Sequence, residues 1–387
     1  MTGVPYRAIP GPSVMPEAVL RAMQRAAPDI YAADLEALAL SLAERLRRVA
    51  RSSGEVAIWI GNGHAAWEAA LANLVAPGER VLAAVTGHFG RGWAATARAR
   101  GAEVDILDHG LDRAIDPHRV EEALRRDRDR RIRAVLAVQT DTASTVLSDL
   151  RAVRAAMDAA GHPALLVADC VASLGCDRFE MDGWGVDVAL SASQKGLMTP
   201  PGLAFVWFNA RADTARDRLG AVSPWWDWRP RARPEAFWQR WGGTAPTHHL
   251  WALDAALDLI EAEGIERVWA RHERLARAVW AAGEAWGESL RPCLGDRAIR
   301  SHAVTAFAMP PGQADALRAW CEREAGLTLG IGLGREPASA HLRLAHMGHV
   351  NAHMTMGALG CMEAGLRALG LDVGEGALSA AAAALSG

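Results

Sequence analysis

Of the 42 basic residues in this 387-residue chain, one alone, Lys195, is lysine. Arginine keeps its charge in a protein, whereas a lysine can lose its proton and become a nucleophilic amine. So strong a bias against lysine makes Lys195 a candidate for chemistry that arginine cannot do. A surface lysine surviving by chance is the plain alternative. Lys195 ends the stretch SASQK, which follows the apolar run VDVAL; Asp169 follows the apolar run ALLVA in the same way. In open α/β sheets ligands bind beyond the carboxyl ends of strands, so both residues are expected at one edge of one sheet. A lysine amine forms a Schiff base with an aldehyde cofactor, and a carboxylate holds a pyridine nitrogen protonated, making the ring an electron sink. Those are the two demands of pyridoxal phosphate chemistry. Taken alone, Asp169 also reads as a helix cap or turn residue.

A phosphate needs a cradle. Gly61-Asn62-Gly63-His64-Ala65 lies between the β-rich run EVAIWI and the helical stretch AAWEAALANLV. Glycines ahead of a helix N-terminus offer free N–H groups and the positive end of the dipole. A bare strand–glycine–helix turn has the same look, and no GK[ST] loop occurs.

These residues need a scaffold. β-rich runs fall at 55–60, 80–86, 103–107, 133–138, 164–168, 186–191 and 203–208, with helical spacing between several of them, as at 63–75 and 150–160. The pattern predicts an α/β fold: a mainly parallel seven-stranded sheet covered by helices on both faces, its last strand free to run antiparallel. From about residue 247 the pattern turns helical, and a smaller α+β segment follows. The expected division is an N-terminal arm (1–20), a large cofactor-binding domain (21–265) and a small C-terminal domain (266–387). The alanine-rich tail ALSAAAAALSG is expected to be a fraying helix end.

Blocks spread over nearly the whole length carry a family resemblance. They include IPGPSVMPEAVLRAM, GNGHAAWEAALANLVAPGERVL, GHFGRGW, TDTAST, LLVADCVASLG, MDGWGVDVALSASQKGLMTPPGLAFV and GIGLGREPASAHLRLAHMG. The chain resembles the class V aminotransferases of pyridoxal phosphate fold type I, in the alanine/serine–glyoxylate group. The resemblance implies pyridoxal 5'-phosphate as cofactor and a small amino acid and 2-oxo acid as substrates. Lys195 would carry the Schiff base and move the proton, with Asp169 on the pyridine nitrogen. Val171 and Phe89 would cover the two ring faces. Asn62, Gly63, His64 and Gln194 would hold the phosphate, and Thr142 would lie near the ring oxygen. Arg343 would bind the substrate carboxylate as a two-pronged fork, with Gly11 contacting substrate through its backbone. Thr244 would reach the phosphate of a neighbouring subunit, which implies a homodimer with shared sites.

The sequence also departs from that family. Trp241 stands where it usually has tyrosine, and Asp29-Ile30-Tyr31-Ala32 replaces a stretch that borders the substrate site. The second departure, with WARH at 269–272, is similar to pyridoxamine–pyruvate aminotransferase, which is the alternative function. A non-catalytic binding protein of the same fold is the further alternative. One substrate-binding arginine favours monocarboxylic substrates, unless Arg91, Arg229 or Arg335 supplies a second cation.

Composition narrows the rest. A net charge of −3 gives no general attraction to nucleic acid, and the run at 125–133 reads as a solvated helix end. No apolar run reaches the roughly 18 residues of a membrane span. Five scattered cysteines without CxxC pairs point to a reducing, cytoplasmic setting. His346, His349 and His353 have helix-face spacing, but no further ligand is in register, so no metal is expected. GIGLG near residue 330 reads as a flexible loop before the Arg343 strand.

Overall fold

A computed structural model describes residues 4–386. The strands in chain order are β1 (Tyr6–Ala8), β2 (Glu55–Gly61), β3 (Arg80–Val85), β4 (Glu103–Asp108), β5 (Ile132–Val138), β6 (Thr140–Asp141) and β7 (Val146–Leu147). There follow β8 (Leu165–Asp169), β9 (Val188–Ala192), β10 (Gly202–Phe208), β11 (Arg291–Pro292), β12 (Val304–Ala308), β13 (Leu327–Ile331) and β14 (His341–Ala345). The larger sheet has seven strands in the order β2-β10-β9-β8-β5-β3-β4. Only β10 runs against its neighbours, β9 and β2. Both the strand number and the reversed last strand match the expectation from sequence.

The reason lies in the side chains. LLVAD, VALSA and most of GLAFVWF are buried, as strands covered on both faces must be. Helices 33–50, 150–159 and 247–263 close one face, and helices 63–74 and 88–99 close the other. At the outer edge β4 carries Glu103, Asp105 and Asp108 and stays largely exposed, and such charges discourage further pairing. Asp116 and Asp149 cap the helices that follow them by accepting the His118 and Ala152 N–H groups.

The smaller sheet runs β1-β13-β14-β12-β11. The N-terminal segment is therefore no free arm: β1 pairs in parallel with β13, and its neighbour Pro10 packs on Gly330. The first three residues of the expected arm lie outside the described residues. The helix Ile265–Trp286 follows the helix that closes the larger sheet and leads to the smaller one. Two local readings change. GIGLG is not all loop, because its first residues finish β13. The alanine-rich tail is an ordered helix, Ala377–Ser386, that packs on helix 265–286 and buries Ala377 and Ala381. Small side chains let the two helices approach, which holds a segment of low complexity in place.

Candidate active site

The carboxyl ends of β2, β5, β8 and β9 meet at one edge and wall a cavity of about 250 Å³. Gly11, Asn62, Gly63, His64, Phe89, Thr142, Asp169, Val171, Gln194 and Lys195 all line it. The fold thus gathers, from sequence separations of more than 180 residues, most of the positions singled out above.

Lys195 follows β9 and is almost fully buried. Its Nζ donates to the Pro10 carbonyl. The N-terminal segment grips the lysine further: Ser13 Oγ donates to the Lys195 carbonyl at 2.7 Å, and Ser13 N–H to the Gln194 carbonyl at 2.9 Å. Gly11 has φ +98, and a Cβ there would sit 2.6 Å from Nζ. The positive φ favours glycine, and any Cβ would push aside the end of the Lys195 side chain. Burial, then the nearby charge of Arg343, brings the Lys195 amine down to about 8, so its neutral fraction near pH 7 is roughly a tenth, far above that of an ordinary lysine.

Asp169 ends β8 and is buried. It accepts Trp67 Nε1–H at 2.6 Å and Val171 N–H at 2.8 Å. Burial pushes its carboxyl up to about 6 despite those bonds. Among the described residues no ion pair serves it, so a protonated ring nitrogen is a fitting partner for this acid.

The helix Gly63–Leu74 opens into the same cavity. Asn62 Oδ1 accepts the His64 N–H at 3.0 Å and caps the helix, so this oxygen serves the helix rather than a ligand. A Cβ on Gly63 would come within 3.0 Å of Val171 Cγ2, and its absence lets Val171 lie close under the helix start. Burial, then the His88 charge, lowers the pKa of His64 and favours its neutral ring. Gln194 Oε1 is buried with no protein partner. A helix N-terminus, an unpartnered amide, a buried acid and a lysine amine fit the phosphate, pyridine and aldehyde of pyridoxal phosphate.

Two expected residues lie off the cavity wall. Arg343, on β14, reaches toward it from the smaller sheet. Its Nε donates to the Ile331 carbonyl at 2.7 Å and its Nη1 to the Thr142 carbonyl at 2.8 Å. Among the described residues its Nη2 has no hydrogen-bond acceptor. Burial brings this guanidinium down to about 10, still charged at neutral pH. Thr244 lines a separate groove with Ile30, Tyr31, Ala32 and Trp241. Both departures from the family pattern therefore converge on Thr244, a proximity hidden by some two hundred residues of sequence.

The other cations are engaged elsewhere. Arg91 pairs with Asp108 at 2.9 Å, Arg229 with Asp213 at 2.8 Å, and Arg335 with Asp112 at 2.9 Å. The histidine trio does not share a helix face. His346 is buried just past β14, His349 lies in the following loop, and only His353 is helical. Among the described residues no group of three His, Cys, Asp or Glu side chains could hold a metal, and no helix is long and apolar enough to cross a membrane.

Sequence reasoning missed Trp67 as the anchor of Asp169 and Asp141 as a buried acid behind the wall. Trp67 stands one helical turn after Gly63, a spacing that puts both on one helix face. Asp141 entered the sequence reading only with Thr142 in the TDTAST block, with no role of its own.

The family model for aminotransferase class-V matches residues 8–352. Serine–glyoxylate aminotransferase of Arabidopsis thaliana is 35% identical over 378 residues, covering 97% of this chain and 93% of its own. L-aspartate–glyoxylate aminotransferase of Paracoccus denitrificans is also 35% identical, covering 97% and 94%. The crystal structure of pyridoxamine–pyruvate aminotransferase from Mesorhizobium loti superposes with a TM-score of 0.90 at 26% identity, covering 99% of this chain and 98% of that one. The matched sequence runs through both sheets and includes every residue lining the cavity, and on this ground the chain belongs to the class V aminotransferases, pyridoxal phosphate-dependent enzymes of fold type I.

Proposed function

We propose that this enzyme moves an amino group from a small monocarboxylic amino acid, such as alanine or serine, to glyoxylate or pyruvate. The observation that carries this reading is the convergence of Lys195, Asp169 and the helix start at Gly63 on one cavity. When bound, pyridoxal phosphate supplies an aldehyde and an electron-accepting ring. Lys195 would hold it through its amine and would carry the proton taken from the substrate Cα. Asp169 would hold the ring nitrogen protonated, and Val171 and Phe89 would cover the ring faces. The first turn of helix 63–74, with His64 and Gln194, takes the phosphate; Asn62 acts by capping that turn. Thr142 borders the ring oxygen, and Gly11 borders the substrate.

Arg343 binds the substrate carboxylate. The engagement of Arg91, Arg229 and Arg335 with acids elsewhere supports a monocarboxylic substrate. Thr244 serves the phosphate of a second subunit in a homodimer; its exposure, with that of Tyr31 and Trp238 nearby, supports this. The three-part division at residues 20 and 265 is kept, the first part lending its strand to the smaller sheet. Unpaired cysteines support a cytoplasmic setting.

The test is an absorption spectrum of the cofactor-loaded protein. A visible band that bleaches with L-alanine or L-serine and returns with glyoxylate is the expected result. Bleaching only with free pyridoxamine would select the alternative named above, and no bleaching with any amine would leave a binding protein.

A further inference from the structure

Asp141 is fully buried behind the cavity wall, and every bond to its carboxylate comes from a main-chain N–H. Its Oδ2 accepts the Phe89 N–H at 2.8 Å and the Gly90 N–H at 3.1 Å, and its Oδ1 accepts the Ala143 N–H at 3.0 Å. The first two begin the helix His88–Ala99, which opens without a side-chain cap of its own. Asp141 therefore supplies that cap from β6, where a negative charge also suits the positive helix end. Gly87 leaves room for it: a Cβ there would overlap the Asp141 carboxyl carbon. The Gly87 backbone is extended, with φ 179, so space rather than backbone strain demands glycine.

The next residue, Thr142, gives its carbonyl to Arg343. We propose that Asp141 is a positioning residue of the active site, fixing Phe89 over the ring position through the helix start while its neighbour Thr142 aims Arg343. It would couple the wall that covers the cofactor to the arm that holds the substrate. The inference rests on the reading of this cavity as the cofactor site.

The experiment is a double-mutant cycle on Gly87→Ala and Asp141→Ala, with Asp141→Asn beside it. Cofactor dissociation is followed by tryptophan fluorescence on pyridoxal phosphate addition, together with KM for the amino donor, kcat, and the melting temperature without cofactor. Expected is a rise of about tenfold or more in the dissociation constant for Gly87→Ala and for Asp141→Asn, with KM raised as well. Gly87→Ala should add little in the Asp141→Ala background, since the overlap it creates is gone. Unchanged affinity and KM in Gly87→Ala would overturn the proposal, as would equal costs of that change in both backgrounds. If the Asp141 variants fail to fold, Gly87→Ala alone decides, because it leaves every site residue in place. A parent protein that binds no cofactor would instead overturn the reading of the cavity.

Discussion

Trp67 Nε1 donates to Asp169 Oδ2 at 2.6 Å, tying the buried acid of the cavity to the helix whose first turn faces the phosphate position. One rigid element thus connects the two parts of the cavity proposed to hold the ends of the cofactor. A hydrogen bond to a charged group contributes about 1.5–3 kcal/mol, more than an ordinary one. Trp67→Phe removes the donor and keeps an aromatic ring. The expected outcome is cofactor affinity lower by about tenfold or more, read from the dissociation constant in a fluorescence titration. Parental affinity in this variant would mean that the Val171 N–H alone orients the acid.

The Lys195 amine, brought down to about 8 by burial and then by Arg343, should set the pH dependence of cofactor attachment. Only the neutral amine attacks an aldehyde. The rate at which the visible band appears should rise about tenfold per pH unit below 8 and level off above it. Stopped-flow mixing of apoprotein with pyridoxal phosphate from pH 6 to 10 measures this. A rate still climbing through pH 10 would show an amine with its ordinary pKa.

Much of this site is legible before any coordinates, for definite physical reasons. Lys195 stands out by composition, and Asp169 by its place after an apolar strand. The strands of the larger sheet are buried on both faces and read as continuous apolar runs. What stayed hidden depends on contacts across long separations. The strand Tyr6–Ala8 is too short to show a period, and its partner lies more than 300 residues away. Asp141 looks like any loop acid until β6 brings it to the helix start at His88. The alanine-rich tail lacks a polar face, and only its packing on helix 265–286 reveals its order.

Gly11 gives a sharp test of how the N-terminal segment meets the lysine. A Cβ at this position would lie 2.6 Å from Lys195 Nζ and 2.7 Å from its Cε, and φ of +98 disfavours alanine as well. Overpacking of a tight contact costs about 1–3 kcal/mol, and the backbone strain adds to it. Gly11→Ala should lower the melting temperature of the apoprotein and slow formation of the visible band. A variant with the parental melting temperature and band rate would show that the segment yields without effect.

Two buried histidines should make the protein sensitive to mild acid. His272 Nδ1–H donates to the Val268 carbonyl at 2.7 Å, and its Nε2 accepts the Gly348 N–H at 3.0 Å. His346 Nδ1–H donates to the His302 carbonyl at 2.8 Å, and its Nε2 accepts the Thr305 hydroxyl at 3.0 Å. Each ring is fixed as a neutral tautomer, and burial holds each at about 3. In the unfolded chain both would titrate near 6.5. The folded state therefore binds fewer protons between pH 6.5 and 3. Its stability is full above about 6.5 and falls as the pH drops, by up to about 1.4 kcal/mol per unit for each ring. Asp169, raised by burial to about 6, acts the other way, since its folded form gains relative stability as it protonates. Comparing parent and variant isolates the histidine contribution. His346→Gln keeps a donor and an acceptor without the titration. The urea midpoint of the parent should drop between pH 7 and 5 by more than that of His346→Gln. Equal drops would mean that His346 titrates alike in both states and that the acid response lies elsewhere.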